Sequence, residues 1–310
     1  MIKYEVVAVR TRFELLSKIE AFLGSLGWQT VRKSESVLYA TDSLGEGLGF
    51  VFNAYDKYPN SYIFASDSID SSKEPSAQAT FQILSYFCFK NNATTELSEA
   101  VLVGDDKNFA LQANLNDFLL FIKGHLNKSH NFNGGVVAWS SLDRNNNSYS
   151  SNNHTHFDNY AFCSNSYTYF KIGGAWDLSI NHVNNNQDTI KFGTNLIDFN
   201  RQNPPKQAGL KAVNAAALFD INNKNNNFTS ELSGLHTLIT PNFFYLNNTD
   251  IWVHAGSWDF VRVTRHDRYC KTYENKQILH VGNEKFIVLF PADDNSSYYW
   301  ANFVMAVRVE

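Results

Sequence analysis

The chain has 310 residues, of which 44% are hydrophobic and 15% aromatic against 18% charged, so it has the apolar content to bury a sizeable core and does not belong to the disordered class. Its net charge of −4 provides no basic field for neutralising phosphates, which sets nonspecific nucleic-acid binding aside. Three cysteines, Cys88, Cys163 and Cys270, lie far apart with no CxxC spacing, and are read as reduced core residues rather than a zinc ribbon or a disulfide framework.

The opening MIKYEVVAVRTRFELL is broken by Lys3, Glu5, Arg10, Arg12 and Glu14, unlike the continuous apolar stretch of a secretory signal, and synthesis in the cytoplasm is expected. Residues 11–26 then carry the clearest helix. Thr11 and Glu14 form a capping-box pair, Phe13, Leu15, Leu16, Ile19, Phe22 and Leu23 supply a helical stripe, and Gly24 and Gly27 mark the exit. Short β-type runs follow at 28–32, 36–41, 48–55 and 61–66, separated by GEG and KYPN turns, which reads as a helix packed against a meander. Runs at 99–104, 108–114 and 117–126 are expected to extend or pair with that first sheet.

Asparagine is absent from the first fifty residues but clusters at 145–147, 152–153, 184–186, 222–223 and 225–227. Asn tolerates left-handed backbone and caps its own turns, so these clusters mark a loop-rich middle. A second helix is expected at 206–219, where Pro204 and Pro205 precede an Ala/Leu-rich stretch. Strands return at 250–256, 259–265, 277–282, 285–291 and 298–310, the last two closing as a long hairpin around ADDNSS.

Chemistry-bearing motifs are few. In NNHTHFDNY, His154, His156 and Asp158 alternate, so a strand would place all three on one face where they could grip a divalent metal. The pattern is close to HxHxDH, but Asn159 stands at its sixth position, and DRNNNSYSSNN ahead of it is loop composition rather than an apolar strand. The other histidines, at 125, 130, 182, 236, 254, 266 and 280, show no HExxH or Cys/His spacing, and neither GxSxG, SxxK nor a Walker or Rossmann loop occurs. Aromatic clusters are the stronger signal: SYTYF at 166–170, TPNFFYLNN at 240–248 and SSYYWANF at 296–303 suit partner surfaces, because Tyr and Trp bury much area while keeping a polar handle.

Two regions together resemble a group of virion structural proteins of tailed bacteriophages. One is FELLSKIEAFLGSLGWQTVR with the tyrosine turn NAYDKYPNSYIFAS. The other is the ending VGNEKFIVLFPADDNSSYYWANFVMAVRVE, a glycine turn, an apolar strand, a polar tip and a final strand; NFALQANLNDFLLFIKGHLN matches the middle of the pattern. The resemblance is concentrated at 11–66, 105–127 and 278–310 and implies a ring subunit of the tail apparatus, at the neck, collar, tail tip or baseplate, with no catalytic residues to carry over.

The expected class is therefore α+β: an N-terminal helix packed on an antiparallel β-meander over 1–130, then a β-rich, sandwich-like domain over 131–310. The expected role is a non-enzymatic virion component, assembled in the host cytoplasm, whose partners are other copies and neighbouring virion proteins. No cofactor and no direct nucleic-acid or membrane contact is expected. Partner contacts are assigned to Tyr55, Tyr58, Tyr62, Phe243, Phe244, Tyr245, Tyr298, Tyr299 and Trp300. A receptor- or glycan-binding tail module is the first alternative, and a metal-dependent hydrolase using His154, His156 and Asp158 the second.

Overall fold

In the computed structural model, residues 1–53, 61–79, 81–87, 98–114, 118–129, 134–141, 166–172, 175–178, 192–194, 238, 240–246, 252–265, 273–290 and 303–310 are described. Strand β1 (Lys3–Val9) leads directly into helix α1 (Arg12–Ser25). The Glu14 N–H donates to the Thr11 hydroxyl at 3.1 Å, and the Glu14 carboxylate accepts from the Arg10 N–H at 2.6 Å, which fixes the turn by which the chain enters the helix. Leu15, Leu16, Ile19, Phe22 and Leu23 recur at helical spacing and are all buried. Gly27 ends the helix at φ +89, where a side chain would be strained, and the Trp28 N–H reaches back to the Leu23 carbonyl at 3.1 Å.

Strands β2 (Gln29–Ser34), β3 (Val37–Thr41), β4 (Gly47–Val51), β5 (Ser61–Ser66) and β6 (Gln82–Phe87) form an antiparallel sheet in chain order. Its inner face carries Leu38, Ala40, Leu48, Phe50, Ile63 and Ala65 into a core shared with α1. Its outer face holds Val37, Tyr39, Val51 and Phe64 under partly buried Tyr62, Ile69, Phe81 and Ile83. Burial on both faces explains why these strands read as apolar runs rather than alternating ones.

The remaining strands are β7 (Ser98–Gly104), β8 (Phe109–Asn114), β9 (Phe118–His125), β10 (Asn127–Lys128), β11 (Gly134–Ser141), β12 (Ser166–Ile172), β13 (Ala175–Leu178), β14 (Phe192–Thr194), β15 (Asn242–Leu246), β16 (Trp252–Ser257), β17 (Val261–Arg265), β18 (Ile278–Val281), β19 (Glu284–Leu289) and β20 (Phe303–Arg308). A seven-stranded sheet in the order β1, β7, β8, β9, β11, β12, β13 occupies the middle of the molecule. One of its faces adds Ala100, Leu102, Phe109, Leu111 and Phe121 to the core beneath α1 and the meander. The opposite face presents Val101, Val103, Ala110, Leu120, Ile122, Val137 and Trp139 to a second core, which β17, β19 and β20 complete with Val261, Val263, Ile287, Leu289, Met305 and Val307. Phe243 of β15 and Ala255 of β16 join that second core.

Two sequence expectations are corrected. The class is mostly β, not α+β: among the described residues one α-helix accompanies twenty strands in four antiparallel sheets. The runs at 99–126 do not extend the meander; they pair with β1, Lys3 facing Gly104 and Val9 facing Ser98, as a separate sheet on which the meander and α1 pack. Residue 130, the boundary expected from the sequence, falls between β9 and β11, which pair within this one sheet. The strands at 284–289 and 303–308 pair antiparallel, Phe286 facing Arg308. The helix expected at 206–219 lies outside the described residues, and among the described residues no helix is long and apolar enough to cross a membrane.

Candidate functional site

Among the described residues, a buried group of ionisable side chains lies where the β3–β4 turn of the meander and the β7–β8 turn meet strand β9. Lys123 and His125 alternate on β9, so they share one face, while Gly124 between them faces the other way, where a Cβ would lie 2.4 Å from the Trp258 indole nitrogen. Asp42 comes from the turn between β3 and β4. Its Oδ1 accepts from the N–H groups of Leu44 at 2.9 Å and Glu46 at 3.0 Å, which fixes the carboxylate before any charge partner is considered. Its Oδ2 accepts from Lys123 Nζ in a short ion pair and lies 2.7 Å from His125 Nε2. A carboxylate oxygen only accepts, so that contact is satisfied when Nε2 carries the proton.

The turn between β7 and β8 closes the cluster. Lys107 offers its carbonyl to Lys123 Nζ at 3.3 Å, and Asn108 Oδ1 accepts from the His125 N–H at 3.0 Å. Asp105 holds Asn108 through both carboxylate oxygens, and its carbonyl accepts from Trp28 Nε1 at 2.7 Å. The Lys123 ammonium stands 5.2 Å from the Trp28 ring centroid, within cation–π range. Ser43 adds a second tie from the Asp42 turn, donating its N–H to the Asp106 carbonyl at 2.9 Å and its hydroxyl to the Asp106 carboxylate at 2.8 Å.

Electrostatics follow from burial. Desolvation alone would push the Asp42 carboxyl up, but hydrogen bonding and charge from His125 and Lys123 outweigh it and hold the group down at about 2. Burial pushes the Lys123 ammonium down, opposed by the Asp42 charge. Burial, aided by the positive Lys123, also lowers the His125 imidazole. A desolvated lysine beside a carboxylate and an imidazole has the composition of Schiff-base and proton-transfer sites. Here the side chains of Asp42 and Lys123 are 0% exposed and His125 is 7% exposed, so the cluster is closed off from solvent in this structure. What the arrangement does is join the meander, β9 and the turn after β7 by buried, hydrogen-bonded polar groups.

The residues picked from sequence are scattered. Tyr55, Tyr58, Tyr298, Tyr299 and Trp300 lie outside the described residues, as do His154, His156 and Asp158. Tyr62 is half-buried on the outer face of the meander, with its ring 6.3 Å from Phe81 at 89° and 6.2 Å from Phe64. Phe243 is corrected as a partner contact: it is fully buried in the second core, edge-on to Trp258 at 6.4 Å. Phe244 and Tyr245 lie beside it on β15, with a register irregularity between Phe243 and Phe244. Among the described residues no group of three or more His, Cys, Asp or Glu is placed to hold a metal ion. The buried cluster itself went unpicked, although two titratable residues at alternate positions of the apolar run FLLFIKGHL signal it. Compared with protein-family models and with curated proteins, the chain matches none.

Proposed function

We propose that the chain is a non-enzymatic structural subunit of a tailed-phage virion, placed in the tail apparatus and acting by ring-like oligomeric assembly with its own copies and with neighbouring virion proteins. The likeness of 11–66, 105–127 and 278–310 to virion structural proteins supplies the setting. The observation that carries the mode of action is that much of the apolar surface left among the described residues lies at sheet ends. Besides Met1 and Leu44 of the β3–β4 turn, the exposed large apolar side chains are Tyr4 and Val6 on β1, Val31 on β2 and Val281 on β18, each about two-fifths exposed or more, and these three strands end their sheets. Sheet ends take up further strands, so apolar side chains at such positions suit contact between subunits. The buried cluster supports the same reading, because its charges are engaged in contacts between layers of the fold.

Light scattering and electron microscopy on the purified protein test this. A defined oligomer with ring-shaped particles is the expected result. A monomer at all concentrations that turns over a small molecule would overturn the proposal. Saturable binding on a glycan array by a monomer would favour the receptor-binding alternative instead.

A further inference from the structure

We infer that β1 is a self-complementary edge that pairs antiparallel with β1 of a second copy about a two-fold axis at Tyr4. The inference deepens the assembly reading by naming one partner and one register. Among the described residues β1 is bordered by β7 alone, at the end of the seven-stranded sheet, and Lys3, Tyr4, Glu5 and Val6 are all exposed. Edge strands that avoid such pairing are shortened, bulged, or guarded by proline or by charged side chains, lysine especially. The charges here, Lys3 and Glu5, are of opposite sign and two positions apart, so they face each other in the paired register. This one has seven residues and no proline or glycine.

The sequence around Tyr4 fits its own inverse. In an antiparallel pair centred on Tyr4, Lys3 of each copy faces Glu5 of the other, Tyr4 faces Tyr4, and Ile2 faces Val6. Because strand positions alternate, these contacts separate onto two faces. Lys3 and Glu5 lie on the side of α1, where Lys3 Nζ already reaches the Ser25 carbonyl at 3.0 Å. Tyr4 and Val6 lie opposite, on the face of their partners Val103 and Val101, which belong to the second core. Ile2 packs at the margin of that core, and Tyr4 and Val6, 46% and 45% exposed, continue its apolar surface past the last covered strand. Pairing would thus set two reciprocal ion pairs on one face and an Ile2–Tyr4–Val6 strip on the other. Such a contact is isologous and closes after two copies, so it joins molecules in pairs. A single strand pair is small for a stable interface, which makes the association concentration-dependent.

Sedimentation from micromolar to submillimolar protein tests the register. Wild type is expected to show reversible pairing. Lys3→Glu and Glu5→Lys each place like charges opposite one another twice and are expected to weaken it by about tenfold. Mixing the two variants restores opposite charges in both pairs and is expected to recover pairing between the two, and the double swap within one chain is expected to recover self-pairing. Both positions are exposed, and unchanged circular dichroism checks that the variants fold. In wild type, β1 amide exchange should slow as concentration rises. Association that ignores the single reversals, or a mixture that does not recover, overturns β1 pairing and leaves the assembly reading standing. A wild-type monomer throughout, with β1 exchange independent of concentration, overturns both.

Discussion

Replacing Asp42 by Asn probes the joint between the layers most directly. Asparagine keeps an oxygen to accept from Leu44 and Glu46 but removes the charge opposite Lys123, whose side chain is 0% exposed. The depression of the Asp42 carboxyl from 3.8 to about 2 corresponds to roughly 2–3 kcal/mol of stability at neutral pH. Leaving the lysine buried without its counter-charge raises the expected loss to about 3–5 kcal/mol, a large share of a typical folding free energy. Urea unfolding at pH 7, followed by the fluorescence of buried Trp28, Trp139 and Trp258, reads this as a lower midpoint. Lys123→Met in the Asp42→Asn background should recover much of it, because the stranded charge is gone. The acid limb provides a second signature. The folded pKa lies below the unfolded one, so the contribution is complete above about pH 4 and disappears as pH falls through about 2; Asp42→Asn should flatten that slope. A loss under about 1 kcal/mol, or no recovery in the double variant, would refute the view that charge pairing holds this joint.

Three further outcomes are expected. The His125 imidazole, lowered by burial and by the positive Lys123, has a folded pKa below its unfolded value, so the stability it contributes is full above about pH 6.5 and declines as pH falls toward the folded pKa; NMR titration should show this ring protonating below the ordinary histidine range, and His125→Gln should lose that slope. Gly49→Ala should cost about 1–3 kcal/mol in thermal melting, because a Cβ there would sit 2.0 Å from the Phe64 ring, and Phe64→Leu in the same chain should relieve part of the cost. Thr11→Ala should lose about 1 kcal/mol by removing the acceptor for the Glu14 N–H, while Thr11→Ser should be close to neutral in denaturant unfolding.

How far the sequence revealed this molecule depended on the range of each interaction. Helix α1 was legible because its cap, stripe and exit lie within seventeen consecutive residues, 11–27. The meander strands were legible from the turns between them. The partner of β1 was not, because Lys3 pairs with Gly104 and nothing local to either residue encodes the match. The α+β expectation gave one well-signalled helix too much weight and passed over β1, β6, β11 and the short strands of the Asn-rich middle. Phe243 was read as surface because a run of aromatics suits a partner contact, whereas a central sheet buried on both faces takes in Trp139, Trp258 and Phe243 together. The Lys123 and His125 pair was visible as polarity within an apolar run, but Asp42, 81 residues earlier, could not be joined to it without the fold.

The double covering of the seven-stranded sheet also orders events during synthesis. β7, β8 and β9 leave the ribosome well ahead of β17, β19 and β20, so Val101, Val103, Leu120 and Ile122 stay wet until those later strands arrive. A truncation ahead of β17 would leave this face covered, among the described residues, only by Phe243, Ala255, Trp258 and Phe260, and is expected to precipitate or be proteolysed rather than persist as a smaller soluble fragment.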